Sequence, residues 1–416
     1  MLDFLNIPIV ADIIKSAIAI VALLTAFAYL TLIERKVVAK IQGRLGPNRA
    51  GPLGLLQPVA DALKMAFKEQ IIPTQAHKGI YLIAPIISVV VALAAFAVIP
   101  VGANWGAKPG IWDPLIGDIN VGLLWILSIS SLAVYGIVLG GWASGNRYSL
   151  LGALRSAAQM VSYETSLGLA LGGVLMFTGS LSMVDIIHKQ LSLGTWFLFA
   201  QPLAFVIYVI AGVAETNRAP FDLPEAEQEL TAGYLTEFSG LRWSLYQMAE
   251  YINMITVSSV ATTLFLGGWS LFGLENLFPG ASIIIYMVKV AIFLFFFMWL
   301  RATLPRIRYD RLMRLGWLLL LPLAVLNALI TAIVVAFDLN WLVSFAAGVI
   351  IIIVALTLIR RQSFVDGTRF KEKSARGAAL MPSTVKLVKY EPPVVPAAVE
   401  ENETEEAAPE QKAVQV

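Results

Sequence analysis

The sequence predicts an all-α polytopic membrane protein: about eight core transmembrane helices, a ninth behind them, one interfacial amphipathic helix and a disordered C-terminal tail. Three observations predict it. Mean hydropathy is +0.76 over 416 residues. Apolar runs of about 20 residues, the length a bilayer requires, recur along the chain. Lys and Arg gather in alternate connections between those runs.

The expected spans are 12–33, 79–101, 121–142, 157–178, 195–214, 244–268, 282–300, 316–337 and 342–359. The opening residues carry no basic region and no small-x-small cleavage site follows, so the first run is expected as a retained helix. Arg35, Lys36, Lys40, Arg44 and Arg49 follow the first span, Arg147 and Arg155 the third, and Arg218 and Arg242 the fifth. Arg301, Arg306, Arg308, Arg311 and Arg314 follow the seventh, and Arg360 and Arg361 the ninth. An excess of basic residues marks the cytoplasmic side, which sets the N-terminus outside and the connection after the fifth span inside. Only Asp338, Leu339, Asn340 and Trp341 join the last two spans, as in a tight helical hairpin.

Three segments are expected by composition: 1–337 as the main membrane domain, 338–361 as an additional transmembrane helix, and 362–416 as a cytoplasmic tail. The tail is Lys/Arg-containing, then Pro-rich, then acidic, and buries too little apolar surface to order itself.

Between the first two spans, Leu55, Leu56, Val59, Leu63 and Phe67 recur at helical spacing, while Gln57, Asp61, Lys64 and Lys68 form a second stripe. The segment from Gly54 to Glu69 therefore reads as an amphipathic helix in the interface, started by the Gly/Pro-rich turn before it. Its polar stripe faces either water or a ligand.

Composition narrows the chemistry. The chain has no cysteine and two histidines, His77 and His188, expected on opposite sides of the membrane. Iron–sulfur clusters need thiolates, so none is held by this chain alone, and a bis-His haem is not expected. Gly-rich phosphate loops, His-Glu-x-x-His and Gly-x-Ser-x-Gly are absent.

The densest charge cluster runs from Glu215 to Glu229, with Glu215, Asp222, Glu225, Glu227, Glu229 and Arg218 in fifteen residues. It is either a solvated acidic loop or a site that handles protons or a polar head. Pro220 and Pro224 forbid one continuous helix, and Pro224 suits the start of a new one. Glu225 and Glu229 then lie one turn apart, where like-charge repulsion raises carboxylate pKa values, while Arg218 holds a nearby acid ionised. Glu34, Glu164 and Glu250 lie at or near span ends on the same side, and costly acids on several helices at one depth favour an ion or proton path. Lys289, inside the seventh span, is either a structural or a functional cation.

Two stretches carry a specific resemblance: Gly54-Leu-Leu-Gln-Pro-Val-Ala-Asp-Ala-Leu-Lys64, and Glu215-Thr-Asn-Arg-Ala-Pro-Phe-Asp-Leu-Pro-Glu-Ala-Glu-Gln-Glu229. Glu34-Arg-Lys36, Arg44-Leu-Gly-Pro-Asn48, Ser162-Tyr-Glu164, Ala249-Glu-Tyr-Ile-Asn253 and Arg301-Ala-Thr-Leu-Pro-Arg306 follow suit. Over roughly its first 337 residues the chain resembles the H subunits of the proton-pumping NADH:quinone oxidoreductase, respiratory complex I, whose mitochondrial counterpart is NADH dehydrogenase subunit 1.

The resemblance implies a subunit at the heel of a membrane arm in a bacterial plasma membrane, with no catalysis of its own. Glu34, Arg35, Arg44, Asp61, Lys64, Arg218 and Phe221, with Gln57 of the polar stripe, would line or shape a quinone passage. Glu164, Glu215, Asp222, Glu225, Glu227 and Glu250, joined by Glu229, would form the proton-coupling path. Quinone would be the substrate, with NADH, FMN and Fe–S clusters on partner subunits. Expected partners are peripheral-arm subunits of the quinone site, neighbouring small membrane subunits and lipid, and no nucleic acid. Family members usually stop after eight spans, so the ninth span and tail are a departure, read as a packing element without ionisable groups before Arg360. A related membrane-bound hydrogenase or formate hydrogenlyase subunit, or a stand-alone ion transporter, are the alternatives.

Overall fold

The computed structural model describes residues 8–103, 119–222, 233–271 and 280–358. The chain divides into two units, Met1–Ala355 and Leu356–Val416. The tail expected over 362–416, and Glu225, Glu227 and Glu229, lie outside the described residues.

Among the described residues the secondary structure is helical, with no strand. Seven helices are long and apolar enough to cross a membrane: α1 (Pro8–Ile41), α3 (Lys78–Phe96), α4 (Gly122–Ala143), α5 (Arg147–Thr178), α10 (Ala281–Thr303), α11 (Tyr309–Ala336) and α12 (Trp341–Leu358). Between them come α2 (Gln57–Phe67), α6 (Met183–Leu193), α7 (Phe197–Ala200), α8 (Pro202–Glu215) and α9 (Gly240–Phe265). The chain is an all-α polytopic membrane protein.

At about 1.5 Å per residue, the 34 residues of α1 exceed the roughly 30 Å hydrocarbon core, so the Arg35–Ile41 end projects beyond it. The helix stops where Gly43 takes φ +70° and two backbone bonds close, Arg44 N–H to Ala39 O (2.9 Å) and Gly43 N–H to Lys40 O (3.1 Å). That pair is a Schellman end, and its left-handed residue is most easily glycine.

The following Gly/Pro segment folds back, with Leu56 N–H bonded to Ala50 O (3.0 Å), and α2 starts directly after it. α2 is shorter than the expected Gly54–Glu69, and none of its residues is buried. Leu55, Leu56, Val59, Leu63 and Phe67 are all exposed, as suits a helix lying on a bilayer interface.

α3 and α4 pack antiparallel at close range. A Cβ on Gly136 would stand 2.1 Å from Ser88 Oγ, so any larger residue there would force that hydroxyl or the crossing to shift. α4 packs on α5, and α5 on α8 and α11, while α9 contacts α3, α10 and α1. The main core joins Leu167, Leu171, Ile207, Ala211, Leu264 and Phe265.

Three expectations are corrected, and one helix differs from the other long ones in composition. The span expected to begin at 157 starts at Arg147, where Asn146 caps the helix by accepting from Tyr148 N–H (2.9 Å). Arg147 and Arg155 therefore lie on α5 rather than in a loop. The span expected over 195–214 is broken at Gln201 (φ −137°, ψ 64°), because Pro202 cannot donate the hydrogen bond that would continue α7 into α8. Residues 183–193, expected as loop, form the amphipathic helix α6, capped by Ser182. Finally, α9 is long but not apolar enough to count among the seven. Its hydroxyls back-bond to carbonyls four residues earlier, as in Thr256 to Ile252 and Ser258 to Met254, which lets a polar helix run through the core.

Lys289 has a backbone partner set. Its Nζ donates to the carbonyls of Leu266 (2.6 Å), Gly268 (3.0 Å) and Ser270 (2.5 Å), capping the C-terminal end of α9 from α10.

Candidate functional site

The site grows from the end of α8. Its chain turns through Thr216 and Asn217, the latter at φ +50°, and the loop is held from three directions. Gln159 of α5 donates through Nε2 to both Ala214 O (2.7 Å) and Phe221 O (2.9 Å). Phe221 N–H closes onto Arg218 O (2.8 Å), and Ile307 N–H bonds Pro220 O (2.9 Å) across the cis Ala219–Pro220 peptide. Phe221 also packs on Tyr163, with ring centroids 5.8 Å apart. These contacts drive the Arg218 side chain inward, to 6% exposure.

Arg218 there meets Glu34, from the far end of α1, at 3.6 Å, and its guanidinium lies 4.0 Å from the centroid of the Tyr251 ring. Glu34 also takes a hydrogen bond from Arg301 of α10, so one buried carboxylate is shared by two arginines on different elements. Burial opposes the Arg218 charge, but Tyr251, Glu34 and Glu250 outweigh it and hold its pKa above the ordinary guanidinium value. Arg218 Nε and Nη2, and Glu34 Oε2, are buried with no hydrogen-bond partner. Such atoms are costly unless another polar group meets them.

A second group of acids stands beside this cluster. Glu250 accepts from the Tyr234 hydroxyl (3.2 Å), and burial followed by the charge of Glu250 pushes the Tyr234 phenol well above its usual pKa. Asp222 lies close enough to Tyr234 to add to that effect. Glu215 interacts with Glu164 and with the Ser130 hydroxyl. A cavity of about 20 Å³ is lined by Glu215, Asn217, Tyr234, Glu250 and Asn253. Another, of about 40 Å³, is lined by Ser130, Tyr208, Glu215, Asn253 and Thr256. One water needs roughly 10–15 Å³, so both voids are large enough, and Glu215 and Asn253 border both.

Of the residues singled out from sequence, Glu34, Arg218, Phe221 and Glu250 are brought together, with Glu215, Asp222 and Glu164 alongside. Arg35 pairs with Asp61 (2.7 Å), and Gln57 bonds the same carboxylate (3.1 Å), which ties α2 to the end of α1. Arg44 is exposed and bonds Gln42 (2.9 Å), and Lys64 is exposed on α2. Arg301, Tyr251, Tyr234, Asn253 and Gln159 also belong to the site, though sequence reasoning assigned them no role. For Arg301 a signal existed, a cation closing an apolar helix, as Glu34 closes another.

The sequence model of the family described as NADH dehydrogenase matches residues 14–332, which takes in every residue of this site. The chain is 52% identical over 333 residues to the NADH-quinone oxidoreductase H subunit of Deinococcus deserti, covering 79% of this chain and 85% of that protein. It is 53% identical over 326 residues to NADH-quinone oxidoreductase subunit 8 of Thermus thermophilus, covering 78% and 87%. With the H subunit of Thermomicrobium roseum it shares 54% over 322 residues, covering 75% and 92%. The chain belongs to the family of NADH-quinone oxidoreductase H subunits. The family match ends within α11, so the Arg218 cluster falls inside it and α12 beyond it.

Proposed function

We propose that this membrane subunit of NADH-quinone oxidoreductase, respiratory complex I, shapes part of the quinone passage and couples quinone reduction to proton translocation. The carrying observation is Arg218: a buried, permanently charged fork with two unpartnered N–H-bearing atoms, held between Glu34 and the Tyr251 face and bordered by Glu250.

A quinone head group offers carbonyl acceptors that gain negative charge on reduction, and a desolvated arginine fork suits that change. Electrons come from centres on partner subunits, with NADH, FMN and Fe–S clusters bound there. Glu34, Arg35, Arg44, Gln57, Asp61, Lys64, Arg218 and Phe221 line or shape the passage between the end of α1, α2 and α9. A new negative charge beside Arg218 competes with Glu34 and Glu250 for its field, which favours proton uptake on those carboxylates. The voids around Glu215 and Asn253 offer room for water to relay the proton between Glu250, Glu215 and Glu164. Asp222, Glu225, Glu227 and Glu229 belong to the same proposed path. The subunit is thus a non-redox part of a translocase.

The N-terminus faces outward and the acidic loop and tail face the cytoplasm of a bacterial cell, as the alternation of Lys and Arg supports. Peripheral-arm subunits of the quinone site then meet the cytoplasmic face, and small membrane subunits and lipid the flanks. The test is Arg218→Lys in the assembled complex, which keeps the charge and loses the fork. Quinone reduction should fall while NADH oxidation by an artificial acceptor persists; unchanged quinone kinetics would remove Arg218 from the passage.

A further inference from the structure

The carboxamide of Gln159 sits at the root of the loop that carries Arg218. Gln159 projects from α5 and is 0% exposed. Its Nε2 donates one N–H to Ala214 O (2.7 Å), in the last turn of α8, and the other to Phe221 O (2.9 Å), beyond Arg218. Both partners are carbonyl oxygens, so they decide which end of the amide is nitrogen. Phe221 is seven positions after Ala214. Such a stretch could reach about 24 Å if extended, and here a single nitrogen atom holds its two ends together.

Glu215 directly follows Ala214, and Arg218 precedes Phe221 by three residues. The two charged side chains of this closed loop face different neighbours. Arg218 faces Glu34 and the Tyr251 ring, and Glu215 faces the Glu164 carboxyl and the Ser130 hydroxyl. The bonds from Asn217 N–H to Ala214 O (3.2 Å) and from Phe221 N–H to Arg218 O (2.8 Å) shape the loop from within. Gln159 instead fastens both ends of the loop to α5, the helix that also carries Glu164, and Tyr163, whose ring packs on Phe221.

The side chain suits this task better than a space-filling one. Gln159 Oε1 is buried with no hydrogen-bond partner, a cost that leucine or methionine would avoid. What those residues lack is a neutral amino group with two donors on one atom. Lysine or arginine would bring donors, but also a charge into a fully buried position.

We propose that Gln159 is a positioning residue that keeps Arg218 and Glu215 in a fixed relation, so that charge developing beside Arg218 is felt by the acids that begin at Glu215. This rests on the reading above, in which Arg218 belongs to the quinone passage and Glu215 to the proton path. Without Gln159, Arg218 keeps Glu34 and Tyr251, and Glu215 keeps Glu164; the shared geometry of the two ends is what is lost. Quinone then still accepts electrons, and fewer protons cross per electron.

The test is Gln159→Met in the assembled complex, reconstituted in sealed proteoliposomes. Its NADH–quinone rate should stay near that of the unsubstituted complex, while its proton-to-electron ratio falls several-fold. Gln159→Asn keeps an amide that is a methylene shorter and reaches at most one of the two carbonyls; its ratio should lie between the two, and it serves even if Gln159→Met blocks assembly. Lowered thermal stability with an unchanged ratio, in either variant, would make these bonds structural alone and overturn the proposal. So would a lowered quinone rate at an unchanged ratio. Glu215→Gln, measured alongside, separates this result from failure of the underlying reading. If Glu215→Gln loses pumping and Gln159→Met does not, the positioning role alone falls; full pumping in Glu215→Gln removes the path on which that role rests.

Discussion

Arg218 and Glu34 face one another at 3.6 Å with both side chains 6% exposed, although they come from a loop after α8 and the end of α1. Neither is complete without the other. Glu34 keeps a second cation in Arg301, and Arg218 keeps the Tyr251 face and Glu250, so in the proposed function the pair would join the quinone passage to the acids beside it.

Arg218→Met leaves Glu34 with Arg301 as its remaining cation and takes the Arg218 charge away from Glu250. Breaking a buried pair by removing one partner costs about 3–5 kcal/mol, enough to lower the yield of assembled complex. Arg218→Lys should assemble, and its defect should fall on quinone-dependent turnover. Blue-native gels, together with NADH–quinone and NADH–artificial-acceptor rates, separate the two effects.

Lys289→Leu removes the donor from three carbonyls at the end of α9. Each buried acceptor left unsatisfied costs about 1–3 kcal/mol, so the complex should lose thermal stability while the KM for quinone stays near its original value. A thermal-shift series on the purified complex checks this; a changed KM with unchanged stability would point to a functional cation instead.

Gly136→Ala forces a methyl into Ser88 Oγ. Overpacking of this kind costs about 1–3 kcal/mol, and Ser88→Ala, by removing that oxygen, should recover part of it. The stability of the two single variants and the double variant measures the coupling; additive losses would mean the contact is not the cause.

Much of the fold was legible because hydropathy reads helix length directly, and much of the site because charge is scarce. Glu34, Arg218 and Glu250 stood out as costly groups near apolar spans. Their pairing did not: Glu34 and Arg301 are 267 residues apart, and no local pattern records such a contact. The break at Gln201 was hidden because a hydropathy window averages across Pro202. The Arg147 end of α5 was hidden because an apolar run marks where lipid begins, not where a capped helix begins. Lys289 could not be resolved from sequence because its partners are backbone carbonyls, which carry no residue signature.

Removing residues from Leu342 onward tests the departure from the family. α12 is held to the junction of α7 and α8 by the Ser344 hydroxyl, which donates to Ala200 O (2.8 Å), and by Gly348 against Pro202, far from Arg218 along α8. The truncated complex should lose some stability and keep its quinone KM. A raised KM in fully assembled complex would connect α12 to the passage.

The most direct test of coupling is the proton-to-electron ratio of the Glu215→Gln complex in sealed proteoliposomes. Glu215 borders both voids, and a neutral side chain of the same shape cannot exchange a proton there. The expected result is depressed quinone-linked proton pumping with assembly and artificial-acceptor rates largely intact. Full pumping at the unsubstituted ratio would contradict a path through Glu215.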